Sequence, residues 1–243
     1  MITLYKKEIS IFFSTMIGPL IIGLFLLING LLLWSNISQV NILDDAYATM
    51  DAFFTISPLL FILFIPAISM RTFSEEYNRG TIETLITKPI AIYQIVLCKF
   101  LAILTLVIIS IIPTFLYIIT IYFLGETTGN LDLAGIIGSY IGLFMLSCIF
   151  ISIGVFASTV SNNQIIAFMF GILLSSIFYF GFDLLSKIQI LQSIEVLLQK
   201  LGISYHYNIM SKGLILFSDI IYFISFSFLF LKFSEIIILS KKK

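Results

Sequence analysis

Long apolar runs alternate with short polar segments along this chain. Each run is long enough to cross a membrane, because about 20 apolar residues in an α-helix span the hydrocarbon core. The predicted spans are residues 16–34, 53–70, 100–123, 136–157, 165–182 and 218–239. The pattern therefore predicts an all-α, polytopic membrane protein with six transmembrane helices.

The first residues of the chain have an amphipathic pattern instead. In a helix over residues 2–13, apolar and polar side chains fall on different faces. The apolar face carries Ile2, Tyr5, Ile9 and Phe12, and the polar face carries Thr3, Lys6, Lys7 and Ser10. This pattern is typical of a helix in the membrane interface, with its lysines toward anionic headgroups. The alternative is a simple extension of the first span.

The segment between the second and third runs is dense in polar residues. Thr72 and Glu75 have the spacing of a capping box, in which both side chains satisfy free amides at a helix start. Gly80 can adopt the left-handed conformation that ends such a helix, Thr81 can cap a second helix, and Pro89 stops it. The pattern predicts a short, angled helical element on the membrane surface. The alternative is an ordinary solvated loop.

The longest segment between two runs, residues 183–212, also carries an apolar pattern. Its apolar positions include Ile188, Leu191, Ile194, Val196, Leu197, Leu198 and Leu201. They indicate an amphipathic helix that lies on or dips into the outer leaflet. The single histidine, His206, lies between Tyr205 and Tyr207. Hydrogen bonding at the interface is a more common role for such a histidine than metal binding or proton relay.

Some residues within the runs are unusual for a membrane helix. Pro58 and Pro66 should kink the second span, for gating or simply for packing. Asn29 needs a hydrogen-bonding partner from another helix or from the backbone. Lys232 and Glu235 lie three residues apart near the inner end of the last span, where they can form an ion pair.

Composition supports a membrane protein. Hydrophobic residues make up 60% of the chain and charged residues 11%, whereas ordinary soluble chains average about 45–50% and 25%. The net charge of zero argues against a nucleic-acid partner. Cys98 and Cys148 both lie in apolar runs, so we expect neither a disulfide framework nor a metal site.

Basic residues are distributed unequally between the two sides of the membrane. With the N-terminus in the cytoplasm, nine bases fall on the inner side and three on the outer side. The inner bases are Lys6, Lys7, Arg71, Arg79, Lys88, Lys99, Lys241, Lys242 and Lys243, and the outer bases are Lys187, Lys200 and Lys212. The positive-inside rule therefore predicts that both termini are cytoplasmic.

The chain lacks motifs that would give it a chemistry of its own. It has no G-x-x-x-x-G-K-[ST] loop to bind nucleotide phosphates, so we expect ATP and Mg²⁺ only in a partner ATPase. It also lacks the catalytic motifs of a membrane protease or esterase, so no catalytic residue is assigned. The first five spans carry no acid at mid-depth, which argues against an ion-coupled transporter.

The polar segment carries the pattern Glu75-Glu76-x-x-x-Gly80-Thr81-x-Glu83-x-Leu85-x-x-x-Pro89. It resembles the coupling segment of ABC-2 type exporter permeases, which docks onto an ATPase subunit. The wider chain, from Lys7-Glu8-Ile9 to the C-terminal lysines, most resembles the permease of the gliding-motility-associated ABC transporter. The matching stretches are Asn41-Ile42-Leu43-Asp44, Asn162-Asn163-Gln164-Ile165, Tyr179-x-Gly181-Phe182-Asp183 and Tyr205-His206-Tyr207.

The resemblance implies that residues 1–243 form a single ABC-2 type transmembrane domain. It contains an interfacial elbow helix (1–14), a cytoplasmic coupling segment (71–89) and a periplasmic re-entrant or amphipathic segment (183–212). The implied ATPase-coupling residues are Glu75, Glu76, Arg79, Gly80, Thr81, Ile82, Glu83 and Leu85. The implied elbow residues are Tyr5, Lys6, Lys7 and Glu8, and the candidates for an outer gate are Tyr179, Phe180, Phe182, Tyr205, His206 and Tyr207.

The resemblance also implies orientations and partners. The residues expected to face an ATPase cleft are Glu75, Glu76, Arg79 and Glu83, and those expected to contact the membrane domain are Ile82 and Leu85. Expected partners are a cytoplasmic ABC ATPase, a second permease copy or paralogous subunit, an auxiliary membrane protein with a periplasmic part, and lipids of the bacterial inner membrane. The alternatives are an ABC-2 exporter of lipid, polysaccharide or drug unrelated to motility, and an ATP-independent channel or membrane scaffold.

Overall fold

The computed structural model of the chain describes residues 1–35, 42, 49–87, 90–125, 131–188 and 193–241. No β-strand occurs in these ranges. Some predictions concern residues outside this description: the matches at Asn41, Leu43 and Asp44, the helix stop at Pro89, the bases Lys88, Lys242 and Lys243, and the side chain of Leu85.

The described residues form thirteen α-helices and two helical turns of other types. The helices are α1 (Ile2–Ser14), α2 (Ile17–Trp34), α3 (Asp51–Ser69), α4 (Arg71–Asn78), α5 (Ile82–Ile86), α6 (Ile92–Ile111), α7 (Phe115–Leu124), α8 (Leu133–Val160), α9 (Gln164–Ser176), α10 (Phe182–Ser186), α11 (Glu195–Leu201), α12 (Ile203–Met210) and α13 (Phe217–Lys241). A 3-10 turn at Ile112–Thr114, which contains Pro113, joins α6 to α7, and a π-helical turn at Ile177–Gly181 joins α9 to α10.

Six helical stretches within the described ranges are long and apolar enough to cross a membrane. They are Ile17–Trp34, Asp51–Asn78, Ile92–Leu124, Leu133–Val160, Gln164–Ser186 and Phe217–Lys241. The prediction of an all-α protein with six spans is therefore confirmed. The third span differs in one respect, because its helix begins at Ile92, well before the predicted start, and so Lys99 lies inside the helix.

Helix α8 lies at the centre of the bundle. It packs against α3, α6, α9 and α13, and α12 crosses near its start. Small residues permit this packing. A Cβ atom on Gly138 would meet the backbone of Met210 and Gly213, and a Cβ atom on Gly154 would overlap the side chain of Ser69. Larger residues at these two glycines would force the neighbouring helices apart.

Helices α3 and α4 follow each other with almost no break. Pro58 and Pro66 lie inside α3 without ending it, and Met70 keeps helical backbone angles between the two helices. The predicted capping box is wrong, because a backbone that stays helical has no free amides to cap at this point. The hydroxyl of Thr72 instead donates to the carbonyl of Ser69 at 2.7 Å. The coupling segment is thus a direct continuation of a membrane helix.

Helix α1 is amphipathic, as predicted, and its buried face is shifted relative to the predicted one. Phe12 of the predicted face is buried and Tyr5 and Ile9 are partly buried, whereas Ile2 is 71% exposed. Leu4 and Glu8, which lie outside the predicted face, are also buried. The helix packs against α6 and α2. It is oriented by an ion pair between Glu8 and Lys99 of α6, which a hydrophobic pattern cannot show.

In the described part of segment 183–212, which omits residues 189–192 and so the predicted Leu191, the chain forms most of α10 and the helices α11 and α12, where one amphipathic helix was predicted. Helix α11 has no buried residue, and its Val196 and Leu197 are exposed. Helix α12 instead packs against α8. The residues that α12 buries are Ile203, His206, Tyr207 and Met210. Their spacing is that of one helix face, so α12 is the element of this segment that enters the bundle.

Candidate functional site

A buried ion network joins three helices at one end of the bundle. Lys99 Nζ of α6 lies 3.3 Å from Glu8 Oε1 of α1 and 2.9 Å from Glu76 Oε1 of α4. The ammonium also donates to the carbonyl oxygen of Thr72 at 2.6 Å and lies 4.9 Å from the centre of the Phe73 ring. Only 1% of Lys99 is exposed. We call this end of the bundle, which contains α1, α4 and α5, the coupling end.

The network explains how an apolar helix can hold a lysine. A buried charge is destabilising unless it is paired and hydrogen-bonded. The ammonium has three N–H groups, and they bind oxygens of Glu8, Glu76 and Thr72. Removing any of these acceptors would leave a buried donor without a partner.

Helix α4 is also attached to α8 and α13. Ser158 Oγ of α8 lies 2.8 Å from Thr72 Oγ1 and accepts the backbone N–H of Phe73 at 3.3 Å. Lys241 of α13 lies 4.1 Å from the centre of the Tyr77 ring on α4. Contacts from four helices therefore hold α4 in place, since α1 and α6 bind it through the Lys99 network.

A turn at Gly80 joins α4 to α5. Gly80 has a φ of +67°, the left-handed conformation that was predicted there, and glycine adopts it at no steric cost. Thr81 occupies the N-cap position of α5, but its hydroxyl makes no capping hydrogen bond, contrary to the prediction. Ile82 is buried at the start of α5.

The charged residues predicted to face an ATPase differ in position. Arg79 and Glu83 are exposed, and Arg79 Nη2 pairs with Glu75 Oε1 at 2.6 Å on the surface of α4. Glu76 points into the molecule, where it binds Lys99 and its second carboxylate oxygen is buried without a hydrogen bond. The geometry thus gives Glu76 an internal contact where an outward position was expected.

A cavity of about 360 Å³ lies between α1 and α4, beside the ion network. Its charged lining residues are Lys7, Arg71, Arg79, Lys99, Glu8, Glu75 and Glu76. Ile11, Phe12 and Ile17 also line it, so the cavity offers both charged and apolar surface. Of the other elbow residues, Lys6 is exposed and Tyr5 packs partly buried against the core.

At the opposite end of the bundle, His206 connects α12 to α13. Its Nδ1 lies 2.7 Å from Asp219 Oδ1, its Nε2 lies 2.8 Å from the carbonyl oxygen of Lys200, and its ring stacks on Tyr222 at 4.0 Å. A carbonyl oxygen only accepts, so Nε2 donates its hydrogen to the carbonyl oxygen of Lys200. His206 is thus a hydrogen-bonding residue between helices. The described residues contain no group of three side chains that could hold a metal.

The structure brings only some of the outer-gate candidates together. Tyr179 is buried in the π-helical turn, against which α12 packs. Tyr207 is buried on α12 and donates to the carbonyl oxygen of Phe54 at 2.7 Å. Burial, with a smaller effect of Tyr179, raises the pKa of the Tyr207 phenol well above its ordinary value, so the hydroxyl remains a neutral donor. Phe180 is 39% exposed. The partly exposed candidates are Phe182 and Tyr205.

The sequence predicted the positions of several site residues but not the residues that they bind. Ser158 and Asp219 carry no local signal, because the residues that they bind lie far away along the chain or in another helix. Lys99 does carry a signal, since a base inside an apolar run requires an acid at the same depth. That rule would have directed attention to the acids of residues 1–15 and 71–89, which include Glu8 and Glu76.

Comparison with known proteins identifies a family for the chain. A family model described as ABC-2 family transporter protein matches residues 9–239. No curated protein matches the chain. The match covers α1 from Ile9, the first five spans, helices α4 and α5, and the last span as far as Leu239. The chain therefore belongs to the ABC-2 family, whose members are multi-pass membrane subunits of ABC transporters and work with an ABC ATPase subunit.

Proposed function

We propose that this chain is the permease of an ATP-driven exporter and that its ATPase acts through α4 and α5. ATP and Mg²⁺ are bound by the ATPase subunit, and the permease itself holds neither. The supporting observation is the Lys99 network, in which one buried ammonium connects α4 to the elbow helix α1 and to the membrane helix α6.

The tip of the coupling segment is the proposed docking surface. Residues 78–81 are exposed at the turn between α4 and α5. Arg79 and Glu83 present charges of both signs there, and the cavity between α1 and α4 lies next to them. Charge complementarity of this kind fixes the register of a protein partner. We expect Glu76 to contribute from inside, through Lys99.

The contacts of α4 suggest how motion of an ATPase reaches the membrane helices. Helix α4 continues from α3, binds Ser158 of α8 and binds Lys99 of α6. Separating any of these contacts would leave a buried polar group unpaired, which is costly. A displacement of the tip is therefore passed to α3, α6 and α8 together, and it is not absorbed by local deformation.

The finer assignment rests on sequence resemblance. We propose a transporter of the gliding-motility type in the bacterial inner membrane, with both termini in the cytoplasm, as the asymmetry of basic residues favours. A second permease copy or a paralogous subunit would complete the membrane domain, and an auxiliary membrane protein would join it. Tyr179, His206 and Tyr207 would then form the outer gate of the export pathway.

The test is to purify the chain from its native membrane and to identify a co-purifying P-loop ATPase. The complex is reconstituted into vesicles, and ATP hydrolysis is measured for the wild type and for Lys99→Met. The control is Lys187→Met, because Lys187 forms an exposed pair with Asp183 at the other end of the bundle. We expect Lys99→Met to keep the ATPase bound but to lose the stimulation of hydrolysis by the membrane domain.

Three results would contradict the proposal. The first is a preparation that is stable and functional without any P-loop protein. The second is full stimulation of ATP hydrolysis by Lys99→Met, which would show that the network plays no part in coupling. An effect of Lys187→Met equal to that of Lys99→Met would also count against it.

A further inference from the structure

An ion pair lies on the outer surface of α13, deep within the last span. Lys232 Nζ binds Glu235 Oε2 at 2.8 Å, and the ammonium lies 5.7 Å from the centre of the Phe228 ring. The Lys232 side chain is 49% exposed and that of Glu235 is 18% exposed. The face that α13 turns to the bundle is a different one, which carries Phe223, Ser227 and other buried residues.

The depth of Lys232 follows from the two ends of α13. Asp219 marks one end, where it binds His206 of α12. Lys241 marks the other, where it donates to the carbonyl of Thr159 near the end of α8. At about 1.5 Å per residue, Lys232 lies about 20 Å from Asp219 and about 14 Å from Lys241 along the helix. Lys232 therefore lies closer to the middle of the span than the sequence pattern predicted, and Glu235 lies between it and the inner end.

Extension of the side chain toward water does not explain this position. A lysine near a helix end can place its ammonium in the interface while its stem remains in lipid. The level of Lys241 is about 14 Å away along the helix axis, and the Lys232 side chain covers less than half of that distance. Its ammonium binds Glu235 one turn further along, still inside the apolar part of α13.

The ammonium of Lys232 has N–H donors without a partner, and these donors indicate what kind of group should contact it. An ammonium has three N–H donors, and Glu235 is its only hydrogen-bond partner among the described residues. Lipid tails offer no acceptor, and charged groups within membrane spans almost always face other protein groups or a water-filled cavity. The exposed residues around it, Phe228, Leu229, Phe233 and Ile236, are apolar, as at a helix-packing surface.

We propose that this face of α13 binds a transmembrane helix of a different membrane protein, one that places a hydroxyl, amide or carboxylate oxygen beside Lys232. Lys99 provides a precedent within the same chain, since there one ammonium joins acids from two other helices. This inference depends only on the membrane topology and not on the proposed ATPase coupling.

A second copy of this chain fits the face less well. The symmetry axis of a dimer of two identical membrane subunits lies along the membrane normal, so equivalent residues meet at the same depth. Packing α13 against its own copy would place two Lys232 ammoniums at one depth and two Glu235 carboxylates at another. Each charge would then face its equivalent, which is unfavourable, and the interface would contain no acceptor besides the two carboxylates that are already paired. A different helix can offer an acceptor without bringing a second ammonium.

The test uses photo-crosslinking in the native host, with the gene at its own locus. Phe228 is replaced by the photoreactive analogue p-benzoylphenylalanine, which keeps an aromatic group near Lys232. We expect a crosslink to a transmembrane segment of another protein, with an acceptor side chain at the crosslinked depth. Lys232→Met should reduce the product about tenfold, the equivalent of one lost charge-assisted hydrogen bond. Lys232→Arg, which keeps the donors, should retain it.

Matched controls separate the outcomes. The same probe at Phe123, an exposed residue of α7, should not give this product. Replacing the mapped acceptor in the partner by leucine should reduce the crosslink as Lys232→Met does. Crosslinks to lipid only, to a second copy of this chain, or to a protein whose yield is the same with Lys232→Met would each overturn the proposal. The membrane level of every variant is measured by immunoblot, so that loss of the protein is not read as loss of contact.

Discussion

Lys99 Nζ and Glu76 Oε1 lie 2.9 Å apart, although one residue belongs to a membrane helix and the other to the coupling helix. The same ammonium binds Glu8 of the elbow helix. One side chain therefore makes the elbow, the coupling helix and the third span a single packed unit. This relationship connects three helices of the coupling end, and the hydrophobic pattern of the chain does not indicate it.

Lys99→Met should destabilise the protein strongly. The substitution leaves the carboxylates of Glu8 and Glu76 buried without their counter-ion, and breaking such a buried pair costs about 3–5 kcal/mol. Thermal unfolding in detergent measures the effect. The triple variant Lys99→Met, Glu8→Gln, Glu76→Gln removes all three charges and should recover much of the lost stability.

Lys187→Met is the matched control for that measurement. Lys187 also pairs with an acid, Asp183, but both side chains are largely exposed, and exposed pairs contribute at most about 1 kcal/mol. If Lys99→Met and Lys187→Met lowered the unfolding temperature equally, the buried network would make no special contribution to stability.

Gly80→Val should impair ATPase recruitment more than Gly80→Ala. Gly80 has a φ of +67°, and a Cβ atom there would meet no neighbouring atom within 4 Å. The cost is therefore one of backbone conformation, about 1–2 kcal/mol for an ordinary residue and more for a β-branched one. The amount of ATPase that co-purifies with each variant measures the effect.

Membrane levels of both Gly80 variants should equal that of the wild type, since the spans are unchanged. Asn78→Ala provides a control at the same exposed tip, because Asn78 is in α4 and alanine adopts the helical conformation without strain. Equal recruitment by the valine and alanine variants would show that the left-handed turn is not needed for docking.

The spans were predictable because apolarity over about 20 residues is a property of each run by itself. The start of the third span was not, because a base usually marks the end of a run, and only the acids on α1 and α4 make Lys99 acceptable inside the helix. The network depends on contacts between distant segments, which no local pattern encodes.

The choice between α11 and α12 shows the same limit. Residues 188–201 and 203–210 are both apolar enough to enter the bundle. What decides between them is the groove that Gly138 and Gly142 leave on α8, where Tyr207 and Met210 fit. The spacing of Gly138 and Gly142 is typical of a site of close helix contact, but such a spacing does not say which helix packs there.

Cysteine labelling should establish the orientation of the bundle. We expect Lys212→Cys to react with an impermeant thiol reagent added from the periplasm. Arg79→Cys should react only after the membrane is permeabilised. Both positions are exposed, and the positive-inside rule places Arg79 in the cytoplasm. Cys98 and Cys148 are first replaced by serine or alanine to remove background. Labelling of position 79 alone in intact cells would invert the topology and exclude docking of a cytoplasmic ATPase there.

His206→Leu should loosen α12 from α13. The substitution removes both ring hydrogen bonds and leaves buried Asp219 without a partner, at a cost of about 1–3 kcal/mol. Backbone hydrogen exchange of residues 203–210 should accelerate about tenfold or more. Asp219→Asn keeps a polar group beside Nδ1 and should have a smaller effect. Unchanged exchange in His206→Leu would mean that packing on α8 alone holds α12.

Gly138→Ala should lower the stability of the bundle, and Gly23→Ala should not. A Cβ atom on Gly138 would lie 2.7 Å from the carbonyl oxygen of Met210 and 2.8 Å from the Cα atom of Gly213. Both are backbone atoms, so α12 itself must move, and overpacking of this kind costs about 1–3 kcal/mol. Gly23 on α2 has no atom within 4 Å of an added Cβ. Alanine at position 23 should therefore stabilise α2 by about 1 kcal/mol, because alanine has a higher helix propensity than glycine.

The unfolding temperatures of the two variants, measured in the same detergent, test this prediction. The rate of backbone hydrogen exchange of residues 203–210 should increase only in Gly138→Ala. Equal unfolding temperatures would show that the close contact between α8 and α12 does not hold this end of the bundle together.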